Sequence, residues 1–341
     1  MGIIGIIANP ASGKDVRRLV ARASVFDNQE KQAIVVRALA GIRAAAGREC
    51  RVAYLDDTHG IVCGALELSG NDLASQAVES PGTASALDTV RAASALMELG
   101  CKVVLVLGGD GTNRAVAAGW RDAPLISIST GTNNVFPVLV EATIAGAAAG
   151  LIASGRVTLQ EAAAQAKVVH VAIDDEPDDV ALIDAVLSSE RFVGSRALLA
   201  PEHLRTVLLT RADPAAVGMT ALGGLIHPLS DAEDGGLLLT LGGGGRAVNA
   251  PIAPGYYRAV AVSECRRLPF GESTVLEGPG VLAFDGERER VLRPGQQARL
   301  TIARAGPWVV DVTRALALAA ARGCFQLPAA DGARDKLNNA L

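Results

Sequence analysis

Aromatic side chains are scarce. Of 341 residues only 2 are Trp, 3 Tyr and 6 Phe, so the cores must be built from aliphatic side chains and alanine. A strong charge of one sign is also missing. The formal net charge is -4 and the sequence pI about 5.7, which argues against a broad nucleic-acid-binding face or a polybasic membrane patch and leaves room only for a local basic pocket. Long apolar runs are absent as well. Mean hydropathy is +0.30, yet no segment reaches the roughly 18 uninterrupted apolar residues of a spanning helix. The five cysteines, Cys50, Cys63, Cys101, Cys265 and Cys324, are odd in number and form no CxxC pair. That disfavours a disulfide framework or a zinc knuckle and fits a reducing cytosol. The chain runs from Met1-Gly2-Ile3-Ile4 into a strand-like pattern without a basic segment and cleavage site, so the expected location is the cytoplasm. Neither a Gly-x4-Gly-Lys-Ser/Thr loop, nor a GxGxxG after the first strand, nor a Gly-x-Ser-x-Gly elbow is present. His59, His170 and His203 show no metal-ligand spacing, and His227, before Pro228, reads as a turn or core residue.

What is present is an apolar half and a charged fifth, enough for two domains of ordinary size. Strand-like runs at 3–8, 51–55, 102–107 and 125–128 alternate with helical spacing at 31–46, 84–99, 113–120 and 141–153. These strands are continuously apolar, the pattern of a parallel sheet covered on both faces. From about residue 167 the chain changes character. Short strand candidates at 167–173, 179–187, 206–210, 237–241, 257–262, 281–284 and 299–303 follow one another between Gly, Pro and Asp clusters. Gly242 to Gly245 reads as a flexible hairpin loop, and the acidic run from Asp174 to Asp179 as a solvated hairpin tip. Residues 313–322 are helical again, and the tail from Ala329 is polar and loose. The expected architecture is a Rossmann-like α/β domain over 1–155 and an all-β sandwich over 165–312, with a helix at about 313–325 packing back on the first domain.

Four loops carry chemical information. Gly108-Gly109-Asp110-Gly111-Thr112 follows the most apolar strand and precedes a helix. Its glycines let a backbone approach a phosphate, and Asp110 fits a proton acceptor, a ribose partner or a metal partner, or else a helix cap in a tight turn. Asn9-Pro10-Ala11-Ser12-Gly13-Lys14 also follows a strand, with Ser12 and Lys14 as phosphate donors or as parts of a strand-to-helix turn. Ser129-Thr130-Gly131-Thr132-Asn133-Asn134 clusters hydroxyls and amides around a glycine after a third strand. Each loop alone reads equally as a turn. Their coincidence at one edge of a parallel sheet favours a nucleotide site. The fourth, Asp285-Gly286-Glu287, has the commonest hairpin-turn sequence.

On these residues the chain resembles the superfamily of ATP-NAD kinases and of diacylglycerol and sphingosine kinases. Gly108 to Thr112 matches the GGDGT motif, and Asn9 to Gly13 the NPxSG motif of the lipid-kinase branch. Residues 131–134 with Phe136 are similar to GTGNxF, with Asn133 in place of a glycine, and 285–287 to the C-terminal DGE. In the second half, 218–222 with 223–228 is similar to the GSTAY…GGPIxHP stretch of the NAD-kinase branch, 250–255 to TPIxPH, and 181–186 to ALNEVV. The opening, residues 9–20 and 24–31, resembles the acetoin-catabolism protein X group. The resemblance implies a two-domain kinase with its site between the domains. It implies Asp110 as catalytic acid/base or hydroxyl anchor, and Asp285 and Glu287 in support. Asn9, Ser12, Gly13, Lys14, Gly108, Gly109, Gly111, Thr112, Thr130, Gly131, Thr132, Asn133 and Asn134 would hold the nucleotide, and Asp184 and Thr220 would face the acceptor. ATP with Mg²⁺, a nucleotide or small-molecule ligand and a homodimer through the β domain are implied in the same way.

The match is uneven. Ile183-Asp184 stands where the NAD-kinase branch has Asn-Glu, and Met219 and Leu222 stand where it has Ser and Tyr. Arg114-Ala115 occupies the place of an Asn-Glu pair in lipid kinases. The donor half is therefore better kept than the acceptor half. Three functions follow from this: a phosphotransferase acting on a hydroxyl of a nucleotide-like or small polyol acceptor, a nucleotide-binding accessory or regulatory protein without turnover, or a lipid kinase.

Overall fold

Five apolar runs make the first sheet. In this computed structural model, which describes residues 2–13, 27–47, 49–70, 72–131, 134–190 and 200–326, they are Ile3–Ala8 (β1), Arg51–Leu55 (β2), Ala74–Val78 (β3), Val103–Gly108 (β4) and Pro124–Ser129 (β5). They pair in parallel in the order β3-β2-β1-β4-β5. Helices Asn28–Ala46 (α1), Ile61–Leu68 (α2), Ala86–Glu98 (α3), Asp110–Gly119 (α4) and Ala142–Ala153 (α5) cover both faces. Ile4 and Ile6 of β1 pack with α1, α2 and α5. Ile7, one step out of phase, packs with α3 and α4. Caps set several helix starts: Asp27 accepts from the Glu30 N–H, Ser85 from Leu87, and Glu141 from Thr143 and Ile144. Helices α1 and α5 cross at glycines, since a Cβ on Gly41 would lie 1.9 Å from the Thr143 carbonyl oxygen. The alanine-rich composition thus serves close helix packing.

The chain runs outward from β1 to β3 and then returns to β4 on the other side of β1. The strand order reverses between β1 and β4, which opens a crevice at the carboxyl ends of these two strands.

The second half forms two antiparallel sheets. One has the order β12-β11-β10-β9-β14-β15 and the other β13-β16-β7-β8. Their strands are Val168–Ile173 (β7), Asp179–Ala181 (β8), Asp184–Ser188 (β9), Leu204–Leu209 (β10), Gly236–Ala253 (β11), Tyr256–Leu268 (β12), Ser273–Glu277 (β13), Gly280–Phe284 (β14), Glu287–Leu292 (β15) and Gln297–Ala303 (β16). Val171, Leu300 and Ile302 of one sheet share a core with Leu187, Leu208, Leu282 and Phe284 of the other, as in a sandwich. Short strands Ala163–Gln165 (β6) and Trp308–Val310 (β17) extend the first sheet beyond β5. Short helices Leu159–Ala162 (α6) and Met219–Gly224 (α7) precede the last helix, Val312–Ala321 (α8). Ala315 and Ala319 of α8 are buried in the core beneath α1 and α5, so the chain does return to its first layer.

Three expectations are corrected. Residues 179–187 are two strands that serve different sheets, because the turn at 182–183 is gripped by a buried carboxylate described below. Gly242 to Gly245 is an irregularity inside β11: the register steps from Leu241 opposite Val262 to Arg246 opposite Val262, and the β11–β12 hairpin turns instead between Ala253 and Tyr256. In the acidic run, Asp179 is turned inward and paired with Arg114 and Arg290 rather than solvated. The helix over 61–68 and the strand over 74–78 went unpredicted. The latter is a mostly exposed edge strand whose sequence, ASQAV, carries little apolar signal. The tail from Ala329 lies outside the described residues.

Candidate functional site

The three polar loops of the parallel sheet do meet at its carboxyl edge. The Asn9 Nδ2 donates to Thr112 Oγ1 at 2.9 Å, which ties the loop after β1 to the first turn of α4. The Asn9 Oδ1 accepts the Ala11 N–H at 2.9 Å, an Asx turn. Ser12 Oγ lies 2.8 Å from the Asn9 carbonyl oxygen and 2.9 Å from Thr130 Oγ1, which links the loops after β1 and β5. Helix α4 begins at Asp110. Its first-turn N–H groups and the positive end of its dipole therefore face the crevice, the arrangement that attracts phosphate.

The glycines are there for space. A Cβ on Gly108 would meet Thr112 Cβ and Oγ1 at 2.5 Å, and one on Gly109 would meet Asn134 Oδ1 at 2.8 Å. The loop after β5 folds on itself in the same way, with Asn134 Nδ2 donating to Ser129 Oγ at 2.8 Å and Ser129 Oγ to the Gly131 carbonyl oxygen at 2.8 Å.

Asp110 sits among these loops. Its Oδ1 accepts the backbone N–H groups of Val135 at 3.0 Å and Phe136 at 2.8 Å. The carboxylate thereby pins the end of the third loop to the start of α4. Asn113, one turn on, is fully buried. It donates from Nδ2 to the Gly109 carbonyl oxygen at 2.9 Å and accepts from Ser127 Oγ at 2.7 Å, fixing the helix against β5.

The β half closes over this edge. Asp285 and Gly286 occupy the two turn positions of the β14–β15 hairpin, both at positive φ (51° and 82°). That is the hairpin geometry Asp-Gly favours. The Asp285 side chain is buried, and its Oδ1 accepts three successive N–H groups: Leu182 at 3.1 Å, Ile183 at 2.7 Å and Asp184 at 3.2 Å. Burial pushes its carboxyl up to about 6, against the lowering effect of the Leu182 N–H, the Arg114 charge and the Ile183 N–H. Asp285 therefore holds the 182–184 turn, and the hydrogen bonds its side chain accepts among the described residues come from backbone N–H groups. Glu287, in contrast, is exposed and leans on the start of α4, where a Cβ on Gly111 would lie 3.1 Å from Glu287 Oε1.

Arg114 joins the two halves. Its Nε donates to the Val180 carbonyl oxygen at 2.9 Å, its Nη2 pairs with Asp179 at 3.3 Å, and its guanidinium lies 5.2 Å from the centre of the Phe284 ring. An arginine where lipid kinases carry an amide is here a strut between domains.

The same architecture emerges from comparison with known proteins. Residues 4–157 match the model of the ATP-NAD kinase N-terminal domain, and residues 167–305 match that of the acetoin catabolism protein X C-terminal domain. The chain is 39% identical over 315 residues to acetoin catabolism protein X of Cupriavidus necator, covering 88% of this chain and 87% of that one. The chain belongs to the acetoin catabolism protein X family. Among solved structures, yeast NADH kinase complexed with NADH covers 97% of this chain and 90% of its own, with a TM-score of 0.53 at 14% identity. A diacylglycerol kinase from Bacillus anthracis aligns with a TM-score of 0.44 at 14% identity over 90% of this chain and 96% of its own. With the N-terminal domain match and the NADH kinase alignment, the chain has an NAD-kinase-like fold.

Within it, Asn9, Ser12, Gly108, Gly109, Asp110, Gly111, Thr112, Thr130, Gly131 and Asn134 share the carboxyl edge, with Gly13 ending the described part of the first loop at φ 75°. Lys14, Thr132 and Asn133 lie outside the described residues. Asp184 is buried in the turn that Asp285 holds, and Thr220 is buried inside α7. Lys31, which opens the helical spacing of 31–46 and closes the 24–31 resemblance, carries no site expectation from the sequence. It is fully buried in this acetoin catabolism protein X member, and its Nζ donates to the carbonyl oxygens of Asn9 at 2.9 Å, Pro10 at 3.1 Å and Ser12 at 2.7 Å. A lysine near the start of an otherwise amphipathic helix, about 20 residues after a polar loop, was the available signal. Among the described residues no helix is long and apolar enough to cross a membrane.

Proposed function

We propose that the chain is an ATP-dependent phosphotransferase acting on a hydroxyl of a nucleotide-like or small polyol acceptor. The observation that carries this reading is the meeting of Asn9, Ser12, Thr112 and Thr130 with the α4 N-terminus and Asp110 at the β1/β4 crevice. The loop hydroxyls, the Asn9-linked turn and the first-turn N–H groups of α4 would take the nucleotide phosphates. Lys31 draws the loop carbonyls toward itself, which turns their negative ends away from an incoming phosphate. Asp110 would anchor the acceptor hydroxyl and take its proton as the phosphoryl group arrives. In such a cycle the Phe136 and Val135 N–H groups keep the carboxylate oriented.

Mg²⁺ would neutralise charge on the triphosphate. No group of three or more His, Cys, Asp or Glu side chains suited to a metal is found among the described residues. The residues fit an ion carried by the nucleotide phosphates, with exposed Glu287 at the α4 start as the protein carboxylate at hand. The place of action would be the cytoplasm. A homodimer would form through the sandwich, whose edge strand β12 exposes Tyr257; sedimentation equilibrium tests that assembly, and a monomer at micromolar concentration rules it out.

The function is tested by measuring ADP release from Mg-ATP with NAD as acceptor, beside Asp110→Asn, with NADP sought by mass. NADP formed by the wild type and lost in the variant supports a kinase acting on NAD. ADP release without NADP moves the search to other hydroxyl acceptors, and turnover retained in Asp110→Asn removes Asp110 from the mechanism. The second reading, an accessory nucleotide-binding protein, is favoured by the apolar Ile183, Met219 and Leu222 at positions where the kinase motifs are polar. It predicts binding of ADP or NAD with no product on any acceptor.

A further inference from the structure

Arg211 follows β10 and reaches from the sandwich to the parallel-sheet half, where its guanidinium lies 5.9 Å from the centre of the Phe136 ring. Phe136 is the residue whose N–H is held by Asp110. The segment before Arg211 is equally fixed: Thr210 donates from its N–H to the Ile183 carbonyl oxygen at 2.9 Å and from Oγ1 to that of Leu182 at 2.8 Å. The cation thus stands between the two loops that Asp110 and Asp285 hold.

Among the described residues no carboxylate pairs with it. The Arg211 Nε is buried without a hydrogen-bond partner. The other arginines among the described residues that are not exposed, Arg43, Arg114, Arg266, Arg290 and Arg304, each pair with a carboxylate. Among the described residues Arg211 has neither an ion-pair nor a hydrogen-bond partner. A second cation stands near it: burial, with the charges of Arg304 and Arg211, lowers the Lys167 ammonium to about 8, while Asp231 and Glu233 oppose the shift. A half-buried guanidinium with an open fork on an aromatic face, beside a second cation, is built to receive an oxyanion in a bidentate contact.

We propose that Arg211 is the anion-recognition residue of the acceptor side, so that the molecule receiving the phosphoryl group itself carries an oxyanion, a phosphate or a carboxylate, held by Arg211. This rests on the kinase reading of the cleft. It also accounts for the loss of polar groups at Ile183, Met219 and Leu222: an acceptor fixed through one charged end needs fewer neutral hydrogen bonds along its length.

The test is calorimetric titration of inorganic phosphate, and separately of acetate, into protein whose donor site is saturated with ADP. Phosphate should bind the wild type, and Arg211→Gln should weaken it by about tenfold or more while ADP affinity and the thermal midpoint stay unchanged. Arg211→Lys keeps the charge and should lose less. Phosphate bound far more tightly than acetate identifies a phosphorylated acceptor, and the reverse identifies a carboxylate. Equal phosphate affinity in the wild type and both variants overturns the proposal, as does no binding of either anion to the ADP-loaded wild type. If ADP fails to bind while phosphate binding still depends on Arg211, the kinase reading falls and the anion site stands.

Discussion

Asp110 and Asp285 lie on opposite sides of one cleft and use the same device. Each sends a carboxylate oxygen onto consecutive backbone N–H groups: Val135 and Phe136 for Asp110, Leu182 to Asp184 for Asp285. Their surroundings differ. Asp110 sits at the start of a helix, at the mouth of the crevice and among loops rich in hydroxyls. Asp285 is sealed inside the sandwich, where desolvation raises its carboxyl to about 6. The comparison teaches that motif membership does not assign a role. One acidic loop opens a helix at the crevice and the other ties a hairpin to a turn, and burial separates them.

The largest expected effect is on turnover. Asp110→Asn keeps the Oδ1 that accepts both N–H groups, so the fold should hold, while the rate falls by about 10²–10⁴-fold, the usual worth of a positioned acid or base. An equal loss of thermal stability and activity would break the contrast with Asp285. Next is Asp285→Ala, which strands three buried N–H groups and should cost about 2–4 kcal/mol in denaturant unfolding. Lys31→Met should follow with about 2–3 kcal/mol, since three loop carbonyls lose their donor, together with weaker ATP binding.

The Asp285 carboxyl also makes stability depend on pH. Its folded value of about 6 lies above the unfolded value of about 3.9. The folded state therefore binds the proton more tightly, and this stabilisation is full below about pH 4 and is lost as pH rises through about 6. Relative to Asp285→Asn, the wild type should lose on the order of 2–3 kcal/mol between pH 4 and pH 7, read from paired unfolding curves. A parallel pH dependence in the two proteins would refute the buried carboxyl. The smallest effect is expected of Gly111→Ala: its Cβ would meet the movable end of Glu287 at 3.1 Å, so stability should change by less than about 1 kcal/mol, with any change in activity reporting on Glu287.

The parallel sheet and its edge were legible because their signal is local. Continuous apolar runs followed by glycine-rich polar loops specify both the strands and the place where the loops gather. The sandwich was legible as a class, while its details depend on distant partners. The break at Leu182-Ile183 comes from a carboxylate about 100 residues away in sequence, and the inward turn of Asp179 from Arg114 on the other half. Lys31 shows the limit most clearly. Its helical spacing was visible, but the carbonyls it holds belong to a loop about 20 residues earlier whose folding back no periodicity records.

The central claim is that the edge formed by β1, β4 and β5 binds the phosphates of a nucleotide. Its most direct test is the equilibrium affinity for Mg-ATP of the wild type and of Asn9→Ala, the variant that unlinks the first loop from Thr112. The account predicts saturable binding by the wild type and an affinity lower by about tenfold in the variant, with unchanged circular dichroism. Binding of equal strength in both proteins, or none in the wild type, would contradict it.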